Sequence, residues 1–299
     1  MYRKMNLQVA VVVLWAARLT WVGLALAPNA LGSSLEDHGR VAQITFTVVA
    51  WALWSLGTFS VFWLSPISLT AIRIISPLLF VGVVVSIFAD PKIGDVWPLF
   101  GCAIAAISVA MVYQPSFAAM HVQASAYGDE IRLPLRIPVP QVLPVTLAWL
   151  VMSTLFSGVV FSIASRAWLV APPLGVIALF VARMLLPQLH RFSRRWLVVV
   201  PAGVVVHDQL LLAETFMVRT SSVTGIRLAN NSGEALNLSG MTRGNVLVVT
   251  LRDSENLALS PYLSKLLGTM DAVHVKSYAI APTLAGQALT ALTKPPATT

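Results

Sequence analysis

Six apolar stretches, each between 18 and 24 residues long, recur along this 299-residue chain, and none holds an Asp or a Glu. They run 8–27, 41–64, 67–88, 96–113, 142–163 and 168–186. A helix rises about 1.5 Å per residue, so about 20 apolar residues cross the roughly 30 Å hydrocarbon core of a bilayer. In hydrocarbon the backbone must satisfy its own hydrogen bonds, which a helix does within one segment. The sequence therefore predicts an α-helical membrane bundle of about six transmembrane helices over residues 1–189. Several ends carry Trp63, Trp97, Tyr113 or Trp168, the ring types that settle at headgroup depth. Ser65-Pro66 makes a very short link between the second and third helices, and "ADPKIGD" a turn after the third. The first stretch has a basic flank and an "ALA" at 25–27, but Arg18 interrupts it and Pro28 follows. It reads as a retained anchor rather than a cleaved leader.

Charge locates the end of the bundle. Only 11% of the chain is charged, against about 25% in a soluble domain. Residues 1–186 carry sixteen charged side chains, and the much shorter 187–299 carries sixteen as well. Two solvents are implied. "WLVVVPAGVVV" (196–206) lies at the changeover. It is too short to span, and Pro201 and Gly203 would break a helix at its centre. Pro-Ala-Gly between two valine-rich runs reads as a turn joining two strands. Alternation in "VTGIRLA" (223–229) and "VHVKSYAI" (273–280), and the apolar run "NVLVVTLRD" (245–253), predict further strands. Ser260-Pro261 caps a short helix through Leu267, closed by Gly268. Residues 190–292 are thus expected to form a small antiparallel β (α+β) domain, with a disordered tail at 293–299.

Two resemblances follow from these residues. "RRWLVVVPAGVVVHD", "VRTSSVTGIRL" and "VLVVTLRD" make residues 194–292 resemble bacterial pleckstrin-homology-like membrane-tethered domains. That resemblance implies a curved sheet closed by a C-terminal helix; the helix at 261–267 departs from the pattern. "SAYGDEIRLPLRIP" (125–138) with "RRWLVVVPAGVVVHD" (194–208) looks like a multi-pass membrane protein family of actinobacteria. It implies a bacterial plasma membrane and carries no activity to transfer.

Orientation follows the Lys/Arg bias of cytoplasmic loops. With the N-terminus inside, Arg3, Lys4, Arg132, Arg136, Arg191, Arg194 and Arg195 face the cytoplasm, against Arg40, Lys92 and Arg166 outside. Both termini are then cytoplasmic.

Candidate site residues fall in three groups. Arg18 and Arg73 stand inside apolar spans, where an arginine costs at least about 2.5 kcal/mol at the helix centre. They form a candidate intramembrane polar site, with snorkelling the bland reading of Arg73. His190, Arg191, Arg194 and Arg195 form a juxtamembrane basic cluster suited to anionic lipid headgroups, each Lys or Arg adding about 1 kcal/mol near such a surface. Asp129, Glu130, Arg132 and Arg136 sit in an extended strip whose apolar and polar residues alternate, a candidate interaction loop along a partner or the membrane. Cys102 reads as a packing residue, and the five histidines lack metal spacing. No GxSxG, P-loop, GxGxxG or HExxH occurs.

The expectation is a non-enzymatic integral membrane protein, without cofactor or metal, that anchors a cytoplasmic β domain for binding a protein partner, a second copy or inner-leaflet lipid. The net charge of +8 suits anionic headgroups, and no basic stripe interleaved with aromatics suggests nucleic acid. The alternative is a small transporter or lipid-handling protein with an anionic-ligand site near Arg18 and Arg73.

Overall fold

The computed structural model describes residues 2–26, 39–89, 97–242 and 244–293. The "ADPKIGD" turn after its first residue and the tail from 294 onward lie outside these. Two compact units divide the chain: Met1–Met120 with Thr146–Leu189, and His121–Val145 with His190–Thr299.

The first unit is helical: α1 (Tyr2–Gly23), α2 (Arg40–Phe62), α3 (Pro66–Ala89), α4 (Trp97–Val112), the start of α5 (Pro115–Gln123), and most of α6 (Val139–Ala164) and α7 (Ala171–Ser193). Five of these helices are long and apolar enough to cross a membrane, and α4 with α5, bent by 57°, is a sixth candidate. Their outward residues are apolar: Val12 is 66% exposed, Leu19 68%, Val176 69% and Leu179 73%. Water does not tolerate contiguous apolar surface on that scale; lipid does. The helix composition is that of an integral membrane protein.

Helix α1 packs on α2 and α4, and α3 packs on α2 and α4. The α1–α2 contact is locked by tryptophan. Trp21 is fully buried; its Nε1 donates to the Trp54 carbonyl at 3.0 Å, and Trp54 Nε1 donates to the Trp21 carbonyl at 3.1 Å. The indole lies where Gly57 has no side chain: a Cβ there would stand 1.8 Å from Trp21 Cζ2. Pro77 sits inside α3 and cannot donate to the carbonyl of Arg73. The Tyr113 hydroxyl donates to that carbonyl instead, at 3.0 Å. Trp149 Nε1 of α6 donates to the next one, that of Ile74, at 3.1 Å.

Among the described residues the second unit holds eight strands in two sheets. The first sheet has the order β1 (Ile131–Pro134), β2 (Trp196–Val200), β3 (Gly203–His207), β4 (Phe216–Arg219), all antiparallel. The second runs β5 (Val223–Ala229), β7 (Val246–Ala258), β8 (Ala272–Ile280), β6 (Leu236–Asn237). The expected antiparallel β domain with short helices is present, and one sheet is mixed because β6 pairs with β8 in parallel. The turn at Pro201-Ala202 joins β2 to β3 as the sequence suggests, with Val200 opposite Gly203. Gly203 also lets β4 approach, since a Cβ would stand 2.4 Å from the Val218 carbonyl oxygen. Ser260 caps α8 (Pro261–Leu267), accepting from Leu263 N, and Gly268 closes it at φ 64°. One core takes Leu197, Val206 and Val218 from the first sheet, Leu247, Val249 and Ile280 from the second, and Ala288 and Leu292 from α9 (Ala285–Thr293).

Strand β1 corrects the reading of residues 125–138 as a free strip. The extended alternation is real, but Leu133 and Leu135 are buried in the β core, only 4% and 6% exposed. Ile131 lies opposite Val199 and Pro134 opposite Trp196. Leu135 bridges to Pro282, and Thr283 N donates to the Pro134 carbonyl at 2.9 Å. Neighbouring strands β1 and β2 are therefore joined in the chain by the α6–α7 helical hairpin. The β unit is not a tail hung after the last span; its edge strand precedes that hairpin.

Candidate functional site

Strand alternation splits the basic run at the end of α7. Arg195, Leu197 and Val199 point into the β core, and Arg194, Trp196 and Val198 point away from it. Arg195 is only 1% exposed. Its Nε and Nη2 donate to Asp208 Oδ1 at 2.8 Å and Oδ2 at 2.6 Å, and its Nη1 donates to the Arg136 carbonyl. Asp208 Oδ1 also accepts from the backbone of Leu210 at 3.1 Å and Leu211 at 3.3 Å. This two-pronged pair, sealed at 1% exposure on both sides, ties the β2–β3 hairpin to Arg136, two residues beyond the end of β1. Arg195 was grouped by sequence with headgroup-facing residues; its guanidinium is instead enclosed in the β unit. The pairing with Asp208 is not legible in the sequence because the two lie thirteen positions apart, just outside the paired ends of β2 and β3.

The outward face of the first sheet carries stacked rings and cations. Trp196 stacks on His207 with centroids 5.0 Å apart and planes 20° from parallel. Arg132 Cζ lies 5.4 Å from the Trp196 centroid and 5.7 Å from that of Tyr127. Glu130 holds Arg132, with Nη2 at 2.6 Å and Nε at 2.9 Å from Oε1. Gln123 locks the same loop, donating to the Glu130 carbonyl and accepting from Arg132 N. His207 Nδ1 pairs with Thr215 Oγ1 at 3.0 Å, while its Nε2 is buried without a partner. Burial holds this imidazole below its ordinary range, and the nearby guanidinium groups of Arg194 and Arg132 push it further down against the opposing pull of Asp208. Arg191 is exposed, Arg194 and His190 are half-buried, and Asp129 is exposed. The arginines at 191 and 194 form no ion pair among the described residues.

Arg18 and Arg73 meet different partners. Arg18 Nε donates to the Val61 carbonyl at 3.1 Å, and its Cζ stands 4.9 Å from the Trp15 centroid and 4.8 Å from that of Phe62. Such an aromatic cradle shields the charge at the end of α2. Arg73 Cζ lies 5.5 Å from the Tyr113 centroid, but its Nε is buried without a hydrogen-bond partner. The Ser76 and Ser108 hydroxyls are likewise buried and unpartnered. A third arginine escaped the sequence reading. Arg183 lies well inside α7, which runs to Ser193 rather than ending near 186, and it is exposed. The signal was present: Arg183, Pro187, His190, Arg191 and Arg194 recur at helical spacing along one face.

Among the described residues no three His, Cys, Asp or Glu side chains come together as a metal site. No family model, no curated protein and no solved structure matches the chain.

Proposed function

We propose that the chain is a membrane-anchored β unit that binds anionic lipid at the inner face of a bacterial plasma membrane, without a reaction of its own. One observation carries this reading. The adjacent strands β1 and β2 are connected through the α6–α7 hairpin, so the β unit is tethered to the bilayer on both sides of that hairpin. The return tether ends in Arg191 and Arg194, which have no carboxylate partner among the described residues. Cations at that position add about 1 kcal/mol each toward an anionic surface. Two four-stranded sheets sharing a core with a C-terminal helix support a pleckstrin-homology-like layout, which places lipid contact within its repertoire. The Lys/Arg bias favours cytoplasmic termini, and the two segments of the β unit must share one side because they pair with each other.

The test is hydrogen exchange on the full chain in nanodiscs made with or without phosphatidylglycerol. Exchange over residues 187–215 should slow with the anionic lipid in the wild type and not in Arg191→Gln/Arg194→Gln. Equal exchange in both lipids would remove the proposal.

A further inference from the structure

Arg73 is a poorly compensated charge among the described residues of the helical unit. No Asp or Glu lies in any described helix of that unit, and Arg73 makes no ion pair or side-chain hydrogen bond there. Its guanidinium rests against the ring of Tyr113, which is 50% exposed. Around it the polar inventory is unbalanced toward donors. Ser76, one turn along α3, is 2% exposed, and Ser108 on α4 is 1% exposed; neither hydroxyl has a partner.

The helix register sets the two hydroxyls at similar depth. Helices α3 and α4 are consecutive and packed, and Tyr113 at the far end of α4 bonds the carbonyl of Arg73, so the two run antiparallel. From that fixed point Ser76 lies three residues up α3, about 4.5 Å, and Ser108 five residues up α4, about 7.5 Å. The two hydroxyls thus stand within roughly 3 Å in height, on the same side of the tyrosine. Below them the chain breaks: α4 gives way to α5 through the 57° bend at Tyr113 and Gln114. Broken helices at membrane depth are tolerated where they border a polar site.

A cation and two hydroxyl donors, with no carboxylate to receive them, ask for an anion rich in acceptors. We infer that Arg73, Ser76 and Ser108 form an intramembrane site for a phosphate group, covered by the Tyr113 ring. The guanidinium supplies charge and paired donors, the serines complete the cradle, and movement of the half-exposed ring opens it to the side. The phosphate belongs either to a lipid headgroup entering from the bilayer or to a small soluble phosphate.

The experiment uses the full chain, delipidated in a neutral detergent, and follows its thermal unfolding. Phosphatidylglycerol, diacylglycerol and inorganic phosphate are added separately. At about a hundredfold excess over the dissociation constant a bound ligand should raise the midpoint by roughly 5 °C or more. A saturable rise with phosphatidylglycerol but not with diacylglycerol or inorganic phosphate supports a lipid phosphate; a rise with inorganic phosphate supports a soluble one. In the Arg191→Gln/Arg194→Gln background, which removes the juxtamembrane cluster, Arg73→Gln should abolish the rise. Ser76→Ala/Ser108→Ala, which keeps the charge and suits a helix, should weaken binding about tenfold and decides the matter should the glutamine variant not fold. In the Arg191→Gln/Arg194→Gln background with Arg73 kept, a saturable rise should remain. The inference is overturned if neither phosphate source gives a saturable rise, if diacylglycerol matches phosphatidylglycerol, if the serine variant binds as the wild type does, or if only the Arg191/Arg194 variant loses the effect.

Discussion

Replacing Asp208 by Asn tests the enclosed ion pair with almost no change in shape. In the native β unit the carboxylate receives two guanidinium nitrogens and the backbone of Leu210 and Leu211. Both charges are 1% exposed, so water does not soften the loss. The amide keeps one acceptor, loses the charge, and turns an NH2 toward donors. Breaking a buried pair on one side costs about 3–5 kcal/mol, a large part of the roughly 5–15 kcal/mol that holds a domain folded. Removing both partners is milder in a simple pair, because no charge is stranded. Here Arg195→Met/Asp208→Leu would still orphan two backbone N–H groups and the Arg136 carbonyl, so it should not recover wild-type stability. The assay is amide exchange over residues 196–211 in the detergent-solubilised chain, which reports the β unit while the helices stay intact. Asp208→Asn should speed exchange there by about two to four orders of magnitude, at tenfold per 1.4 kcal/mol. An increase below about fivefold, under 1 kcal/mol, would mean that water reaches the pair, and the argument from enclosure would fail.

Two further outcomes are expected. Gly57→Ala places a methyl group where Trp21 already stands, 1.8 Å from Cζ2; overpacking and the disturbed indole bonds should cost the helical unit about 3 kcal/mol, read as a lowered unfolding midpoint that Trp21→Phe partly restores. Because His207 is held below its ordinary range by burial and by Arg194 and Arg132, the unfolded chain takes up its proton first as pH falls. The stability this imidazole contributes should be present above about pH 6.5 and be lost progressively below it, and His207→Gln should flatten that slope in a pH series of thermal midpoints.

Local signals were legible wherever one short stretch decided the structure. Pro201 and Gly203 announced the β2–β3 hairpin, Ser260-Pro261 and Gly268 bounded α8, and acid-free apolar runs marked the helices. What stayed hidden depended on partners distant in the chain. Ile131, Leu133 and Leu135 signalled an extended segment but not that its neighbour, β2, lies beyond a membrane hairpin. The adjacent arginines at 194 and 195 look alike until strand alternation sends one inward to Asp208. Charges in "RDSEN" ended the apolar run at 253, yet β7 continues to Ala258 through an irregularity between Thr250 and Glu255. In the candidate sites, Arg18 and Arg73 were legible as embedded charges. Which of them found partners was not, because that depends on Val61, Phe62 and Tyr113 arriving from other helices.

The claim on which the rest depends is that the chain leaves the β unit after β1, crosses the membrane twice and returns as β2. Labelling with a membrane-impermeant maleimide tests it directly, in spheroplasts, with Cys102→Ser removing the native thiol and single cysteines placed at exposed positions: Tyr127→Cys, Leu169→Cys and Met270→Cys, 82%, 92% and 82% exposed in the native structure. Leu169→Cys should react in intact spheroplasts, whereas Tyr127→Cys and Met270→Cys should react only after lysis. Reaction of Tyr127→Cys and Met270→Cys from opposite sides, or of all three from one side, would contradict it.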